Sequence, residues 1–281
     1  MPAVFLNTNG SLKLANEPLI LADNRAFRYG EGLFETMRLQ SGSIALWDAH
    51  YSRLEKSMKM IGLEPPVHLT KDQLYLQVLK LAEKNRHPFA RIRLTVYRGE
   101  GGIWEMPSVP FNYLIQSWQL PDSLHRLNEN GLDLGVFKEG RKSCDALASL
   151  KSNNYLLYIL AANYARSQKW NECLVLNQHE RIADATIANL FFIRDGKIFT
   201  PASGEGGVAG VMRNYLLNQF RASGVAVEEG LYTIRDVEEA DEVFLTNAIH
   251  GIKWVKSFGN SNYSCRQTAL LFDQYIKPLF A

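Results

Sequence analysis

The run Ala90-Arg-Ile-Arg-Leu-Thr-Val-Tyr-Arg98 constrains the fold most, because its apolar residues alternate with Arg91, Arg93, Thr95 and Tyr97. Successive side chains of a strand point to opposite faces, so this period of two fits a half-buried β-strand. A second strand is expected over 111–118. Ahead of them, Tyr51, Leu54, Met58 and Ile61 recur at three- and four-residue steps behind Asp48, which suits an N-cap. Thr70 and Gln73 have capping-box spacing in front of the helical stripe Leu74, Val78 and Leu81. The strand signal Val4-Phe5-Leu6 is turned at Asn9-Gly10, a dipeptide that tolerates the positive φ of a tight hairpin. The first half therefore reads as α+β.

The pattern weakens between Gln119 and Gly131 into a polar, proline-bearing stretch suited to an interdomain connection. The expected division is a small domain over 1–119, a linker over 120–131 and a second α+β domain over 132–281. In the latter, strands are expected over 132–137, 173–177, 189–194 and 242–246, with a hairpin turn at Asp195-Gly196. One helix follows Lys151, with Leu156, Ile159 and Leu160 as its apolar face; another covers 212–222 and can end at Gly224.

With 281 residues, 46% of them hydrophobic, the chain can bury a sizeable core. Lys plus Arg (31) exceed Asp plus Glu (29) by two, so no overall field attracts nucleic acid or an anionic membrane. Cys144, Cys173 and Cys265 are odd in number and scattered, which suits neither a disulfide framework nor a zinc site and points to a reducing compartment. The six histidines form no ligand-spaced pair, so no metal is expected. No apolar run approaches membrane-spanning length; a cytoplasmic protein with a small-molecule partner is expected.

Three places can carry chemistry. Gly204-Glu-Gly-Gly-Val-Ala-Gly210 runs into a helix, and backbone N–H groups with the positive end of a helix dipole can hold a phosphate. A plain surface loop explains the same glycines. Arg98, at the end of a strand, can grip a carboxylate with two parallel hydrogen bonds or be an ordinary surface arginine. Lys151 heads a helical segment; partial burial there would favour the neutral amine that imine chemistry needs.

Taken in order, these segments resemble the class IV, or fold-type IV, pyridoxal-phosphate (PLP) dependent aminotransferases from about Phe5 to Val255. The stretch Asp23-Asn-Arg-Ala-Phe-Arg-Tyr-Gly-Glu-Gly-Leu-Phe-Glu-Thr-Met-Arg38 is similar to the family's entrance motif, and His50-Tyr-Ser-Arg53-Leu54 to the helix after it. Lys151-Ser-Asn-Asn-Tyr155 resembles the lysine motif, and Ile182-Ala-Asp184-Ala-Thr-Ile-Ala-Asn189 the segment bearing the acidic partner of the pyridine nitrogen. Gly210-Val-Met-Arg213 and Leu245-Thr-Asn-Ala248 resemble the two phosphate-side segments.

The resemblance implies a two-domain α+β enzyme with a smaller N-terminal domain and a larger, barrel-like C-terminal domain that binds PLP. It makes Lys151 the Schiff-base lysine and the base that moves a proton between substrate Cα and cofactor C4′. Arg53, Val211, Met212, Thr246 and Asn247 would hold the phosphate, Tyr155 the phenolic oxygen, and Asp184 the pyridine nitrogen, which keeps the ring an electron sink. Asp184 stands where the family usually has Glu. Asn189 is expected to orient the segment beneath the cofactor. Phe34, Thr36, Arg98 and Ala248 would face the substrate, with Phe34, Trp104 and Ile249 walling an apolar pocket.

The activity so implied is amino transfer between a small or medium, including branched-chain, amino acid and a 2-oxo acid, in a homodimer. Thr36, Gly210 to Arg213, Asn247 and Ala248 are similar to aminodeoxychorismate lyase, which eliminates pyruvate and is the alternative. Ile103-Trp104 stands where that lyase would have an arginine nearby, and Glu100 replaces the histidine of a D-amino-acid carboxylate trap. A PLP-binding scaffold with a weakened electron sink, owing to Asp184, is the alternative of another class.

Overall fold

The computed structural model describes residues 4–105 and 110–280. The chain divides into two compact units, Met1–Asp122 with Lys151–Asn154, and Ser123–Leu150 with Tyr155–Ala281.

The first unit holds β1 (Phe5–Thr8), β2 (Ser11–Leu14), α1 (Arg25–Tyr29), β3 (Gly32–Gln40), β4 (Ser43–Ile44), α2 (Trp47–Met60), α3 (Lys71–Asn85), β5 (Phe89–Arg98) and β6 (Phe111–Gln119). Its sheet has the order β2-β1-β6-β5-β3-β4, and every pairing in it is antiparallel. The β1–β2 turn uses Asn9 (φ 50) and Gly10 (φ 87), the positive angles a two-residue hairpin needs. In β5 the alternation holds as far as Val96: Ala90, Ile92, Leu94 and Val96 are fully buried or nearly so, whereas Tyr97, expected on the outer side, is buried too. α2 packs on β3, and α3 on β6 and β1, turning buried Leu54 and Met58 of one helix and Leu74, Val78 and Leu81 of the other inward. Thr70 caps α3 by accepting from Gln73 N–H at 3.2 Å.

The start of α2 differs from expectation. Leu46, with φ 58, stands at the N-cap and makes no side-chain cap bond, while Asp48 sits inside the first turn and pairs with Lys71 at 2.8 Å. A carboxylate there still complements the helix dipole, which is why the sequence pattern misplaced the start by less than one turn.

The second unit holds β7 (Leu132–Lys142), α4 (Leu156–Ser167), β8 (Glu172–Asn177), β9 (Ile182–Ala185), β10 (Asn189–Arg194), β11 (Lys197–Pro201), α5 (Val211–Ala222), β12 (Val227–Gly230), α6 (Ile234–Glu238), β13 (Glu242–Asn247), β14 (Gly251–Phe258), β15 (Ser261–Asn262) and α7 (Arg266–Leu271). The sheet runs β12-β11-β10-β13-β14-β7-β8-β9, with β15 beside β14. β9, last in this order, lies against β10 and β11, and Ile182 N–H donates to Tyr232 O just beyond β12 at 2.8 Å. The sheet therefore curls back on itself around Leu134, Leu174, Leu190, Phe192, Val243 and Val255. Asp195 (φ 50) and Gly196 (φ 74) make the β10–β11 turn.

α4 corrects the expected helical face. Tyr158, Ala161 and Ala165 are buried with Phe137, Cys173 and Val175, whereas Leu156, Ile159 and Leu160 are 68%, 52% and 48% exposed. Small alanines let the helix approach β7 and β8 closely, so the bulkier leucines and isoleucine turn outward. Among the described residues, no helix is long and apolar enough to cross a membrane.

Candidate functional site

β4 pairs only with Leu39 and Gln40, so the first half of that edge of β3 is available to another segment. Lys151–Asn154 takes it, and for this reason belongs to the first unit rather than to the expected 132–281 domain. Phe34 N–H donates to Lys151 O and Asn153 N–H to Gly32 O, each at 2.9 Å, with Leu33 bridged to Ser152. Two glycines permit the approach. A Cβ on Gly32 would sit 2.4 Å from Asn153 Nδ2, and one on Gly30, whose φ is 68°, would sit 2.3 Å from Asn154 Oδ1. Lys151 is half-buried. Its Nζ lies 4.6 Å from the centre of the Phe34 ring, and Arg93 Cζ lies 3.7 Å from the same centre. The lysine's backbone is thus fixed by a strand while its amine rests on an aromatic face.

Beside Phe34 in sequence, Glu35 is buried and accepts from Arg53 Nε at 2.8 Å and Nη2 at 2.5 Å. His50 Nδ1 is 2.6 Å from the same carboxylate. Burial opposes the charge of Glu35, but Arg53 and His50 outweigh it and hold its carboxyl at about 2. An ionised Glu35 makes His50 Nδ1 the donor. Burial keeps the imidazole's proton affinity below its ordinary value, and its Nε2 is buried without a hydrogen-bond partner. Neither Glu35 nor His50 was singled out from the sequence; the His50-x-x-Arg53 spacing, which puts both on one face of α2, is the signal that could have found them.

Arg98, expected at the substrate carboxylate, is engaged within the protein. Its Nε donates to Glu31 at 2.6 Å and its Nη2 to the carbonyls of Ile61 and Gly62 at 2.9 and 2.6 Å. The side chain is 4% exposed, and Glu31 accepts from Arg25 as well. A guanidinium so engaged ties β5 to the end of α2, which accounts for Arg98 without a substrate carboxylate. Trp104 is 93% exposed. Thr36 lies within β3, opposite Arg93.

In the second unit Asp184, on β9, is 2% exposed. Tyr158 Oη donates to it, 3.2 Å from Oδ1 and 2.9 Å from Oδ2, and Val208 N–H donates to Oδ2 at 2.9 Å. Tyr158 escaped the sequence reading; its one-turn spacing from Tyr155 on α4 is the only hint. The glycine loop is drawn tightly around Asp184. A Cβ on Gly207 would meet Ala183 O at 2.5 Å, and one on Gly210 would meet Asn189 Oδ1 at 1.9 Å. Asn189 Nδ2 clips the loop by donating to Val208 O at 2.9 Å.

The loop ends at Gly210, the N-cap of α5, where no side chain makes a cap bond. The N–H groups of the first turn, Val211 and Met212 among them, have no partner within the helix itself. Asn189 pairs across the sheet with Thr246, and Thr246 Oγ1 is buried with no hydrogen bond. A helix start lacking a cap and an orphaned buried hydroxyl on the adjoining strand are the donor set that a phosphate monoester requires, so these residues fit the phosphate of the expected cofactor.

Two neighbours are already engaged. Asn247 Oδ1 accepts from Ile249 and His250 N–H at 3.1 and 2.9 Å, a turn that includes Ala248. Tyr155 Oη donates to Thr186 O at 3.0 Å, so the expected bond to a cofactor phenolic oxygen requires that proton to be redirected.

The sequence profile of the family described as amino-transferase class IV matches residues 32–258. The chain is 29% identical over 231 residues to a Vibrio harveyi aminodeoxychorismate lyase, covering 82% of this chain and 83% of that one. It superposes on the branched-chain amino acid aminotransferase of Escherichia coli with a TM-score of 0.88 and 22% identity, covering 99% of this chain and 95% of the other. The T.th. branched-chain amino acid aminotransferase, solved with pyridoxamine 5′-phosphate, gives a TM-score of 0.86 at 21% identity, covering 100% and 95%. The α+β architecture is thus that of fold-type IV, and with 32–258 matched by the family profile the chain belongs to the class IV amino-transferase family.

Proposed function

We propose that this chain is an aminotransferase that moves the amino group between a small or medium, including branched-chain, amino acid and a 2-oxo acid, with Lys151 as the catalytic amine. Its cofactor is pyridoxal 5′-phosphate, and its chemistry is the transamination or elimination typical of class IV enzymes. When bound, the cofactor supplies an aldehyde that condenses with amines and a protonated ring that draws electrons from a breaking Cα–H bond.

The observation that carries the proposal is the half-buried Lys151, its backbone clamped to β3 and its Nζ on the Phe34 ring. An amine held there can condense with an aldehyde and then, released, take the proton from substrate Cα. Phe34 would present an apolar face to the substrate side chain, and Thr36 and Ala248 would complete its surroundings. Arg53, oriented by Glu35, would hold the phosphate with the N–H groups of Val211 and Met212, Thr246 Oγ1 and the Asn247 backbone. Asp184 would face the pyridine nitrogen.

Elimination from aminodeoxychorismate is the second reading, favoured by the identity to the Vibrio harveyi lyase. Against it, Ile103 and Trp104 follow the Gly101-Gly102 pair where an arginine would be expected for that lyase. Purified protein loaded with the cofactor should aminate a 2-oxo acid from one or more members of a D- and L-amino-acid panel, and Lys151→Ala should abolish this. Release of p-aminobenzoate and pyruvate from aminodeoxychorismate, with no amino transfer, would establish the lyase instead.

The proposed assembly is a homodimer in the cytoplasm. The outward Leu156, Ile159 and Leu160 of α4 support a protein partner, since three large apolar side chains on one helix gain from being covered.

A further inference from the structure

We infer that Tyr158 is a positioning residue for Asp184, and that the two together do what one longer acidic side chain would otherwise do at the pyridine nitrogen. The inference rests on the reading above that Asp184 faces that nitrogen. Aspartate is one methylene shorter than glutamate, so its carboxylate reaches up to about 1.5 Å less far. What it lacks in reach is offset by being held.

Tyr158 Oη spans both oxygens of Asp184 at 3.2 and 2.9 Å, and Val208 N–H meets Oδ2 at 2.9 Å. The acceptor's backbone is fixed by pairing of Asp184 with Val175 of β8. The donor's backbone is fixed because α4 packs on the same strand. The phenol ring is held in turn by Tyr155, 4.6 Å away at 35°, with Lys142 Nζ 5.2 Å from its centre.

Burial, and then the charge of Asp184, push the Tyr158 phenol far above its ordinary ionisation range. Tyr158 is therefore a permanent donor. Burial opposes the charge of Asp184 and the two donors support it; a charged carboxylate is what keeps a proton on an adjacent ring nitrogen. Were the carboxylate to hold that proton itself, the ring would lose the charge that makes it an electron sink.

Tyr158→Phe removes the hydroxyl and keeps the ring. In cofactor titrations followed by equilibrium dialysis, this variant should bind PLP about tenfold more weakly, the loss expected for one hydrogen bond to a charged group. The pH at which the visible absorption of the bound cofactor changes should move by about one unit or more. Site-specific 3-fluorotyrosine at position 158, a stronger donor of nearly the same shape, should move that pH in the opposite sense.

Asp184→Asn is the reference. If Asp184→Asn alters affinity and spectrum but Tyr158→Phe alters neither, Tyr158 serves only to pack α4 and the inference is overturned while the Asp184 reading stands. If Asp184→Asn alters neither, both are overturned. Should Tyr158→Phe fail to fold, the fluorotyrosine protein decides alone, and an unmoved transition overturns the inference.

Discussion

His50 Nδ1 lies 2.6 Å from Glu35 Oε2, with the two side chains only 1% and 2% exposed. A contact this deeply buried makes stability depend on pH. The carboxyl of Glu35 is held at about 2 in the folded protein, below the roughly 4.3 of an unfolded glutamate. The unfolded chain therefore binds more protons in acid, and the contribution, present above about pH 5, is lost as pH falls toward 2. His50 acts in the same direction, because burial disfavours its charged form when folded while the unfolded imidazole takes up a proton below about pH 6.5. Urea denaturation of the apo protein at a series of pH values should show stability falling on acidification. Glu35→Gln removes the carboxylate that accepts from Arg53 and should cost roughly 3 kcal/mol near neutrality. It should also flatten the acid slope; a slope equal to wild type would show that Glu35 is not held down.

The glycine loop gives a paired test. A Cβ at Gly207 meets the backbone oxygen of Ala183 at 2.5 Å, whereas one at Gly204 meets nothing within 4 Å. Gly204→Ala should change apo stability by no more than about 0.5 kcal/mol. Gly207→Ala must displace either β9 or the loop, and with it Val208 N–H from Asp184. It should weaken PLP binding by about tenfold or more, the worth of one charge-assisted contact. Equal cofactor affinity in the two variants would show that the loop geometry does not serve the phosphate side.

Local chemistry made much of this fold legible. The alternation in β5 as far as Val96, the Thr70 cap, the Asn9-Gly10 and Asp195-Gly196 turns and the bounds of β10 depend on neighbours in sequence, and they stand as expected. What depended on distant partners was not legible. The outward face of α4 is set by how closely Ala161 and Ala165 seat on β7 and β8, which helical spacing cannot reveal because both faces are apolar. Lys151–Asn154 joins the first unit because an edge of β3, far upstream in the chain, is available to it. The residues of the proposed site divide in the same way. Motif order pointed to Lys151, Asp184 and the start of α5, but Tyr158, Glu35 and His50 emerge only once strands and helices bring them to their partners.

Arg98 offers a test of structure against substrate binding. Its bonds to Glu31 and to the carbonyls of Ile61 and Gly62 exist within the protein itself. Arg98→Ala should therefore destabilise the apo protein by roughly 3 kcal/mol, as expected when a buried ion pair loses one partner. Arg98→Lys should recover part of this, since an ammonium cannot reproduce the fork of donors. An apo stability unchanged by Arg98→Ala, together with a raised KM for the amino donor, would return Arg98 to the role of carboxylate ligand.

The exposed side of α4 leads to the assembly. Ile159 and Leu160 lie one turn on from Leu156, and the three leave 52%, 48% and 68% of their surface uncovered, while the opposite side of the helix is sealed against Phe137 and Val175. An isolated exposed leucine is ordinary, but a stripe of three on one helix presents an apolar surface whose covering contributes about 25 cal/mol per Å². If a second copy covers it, a charge introduced at its centre is carried into the interface without a partner and opposes association. Ile159→Asp should therefore convert the protein from dimer to monomer in sedimentation velocity at micromolar concentration. Its own unfolding should change little, because the side chain makes no part of the α4 core. A wild-type protein that sediments as a monomer, or an Ile159→Asp protein that still dimerises, would place the partner of this helix elsewhere.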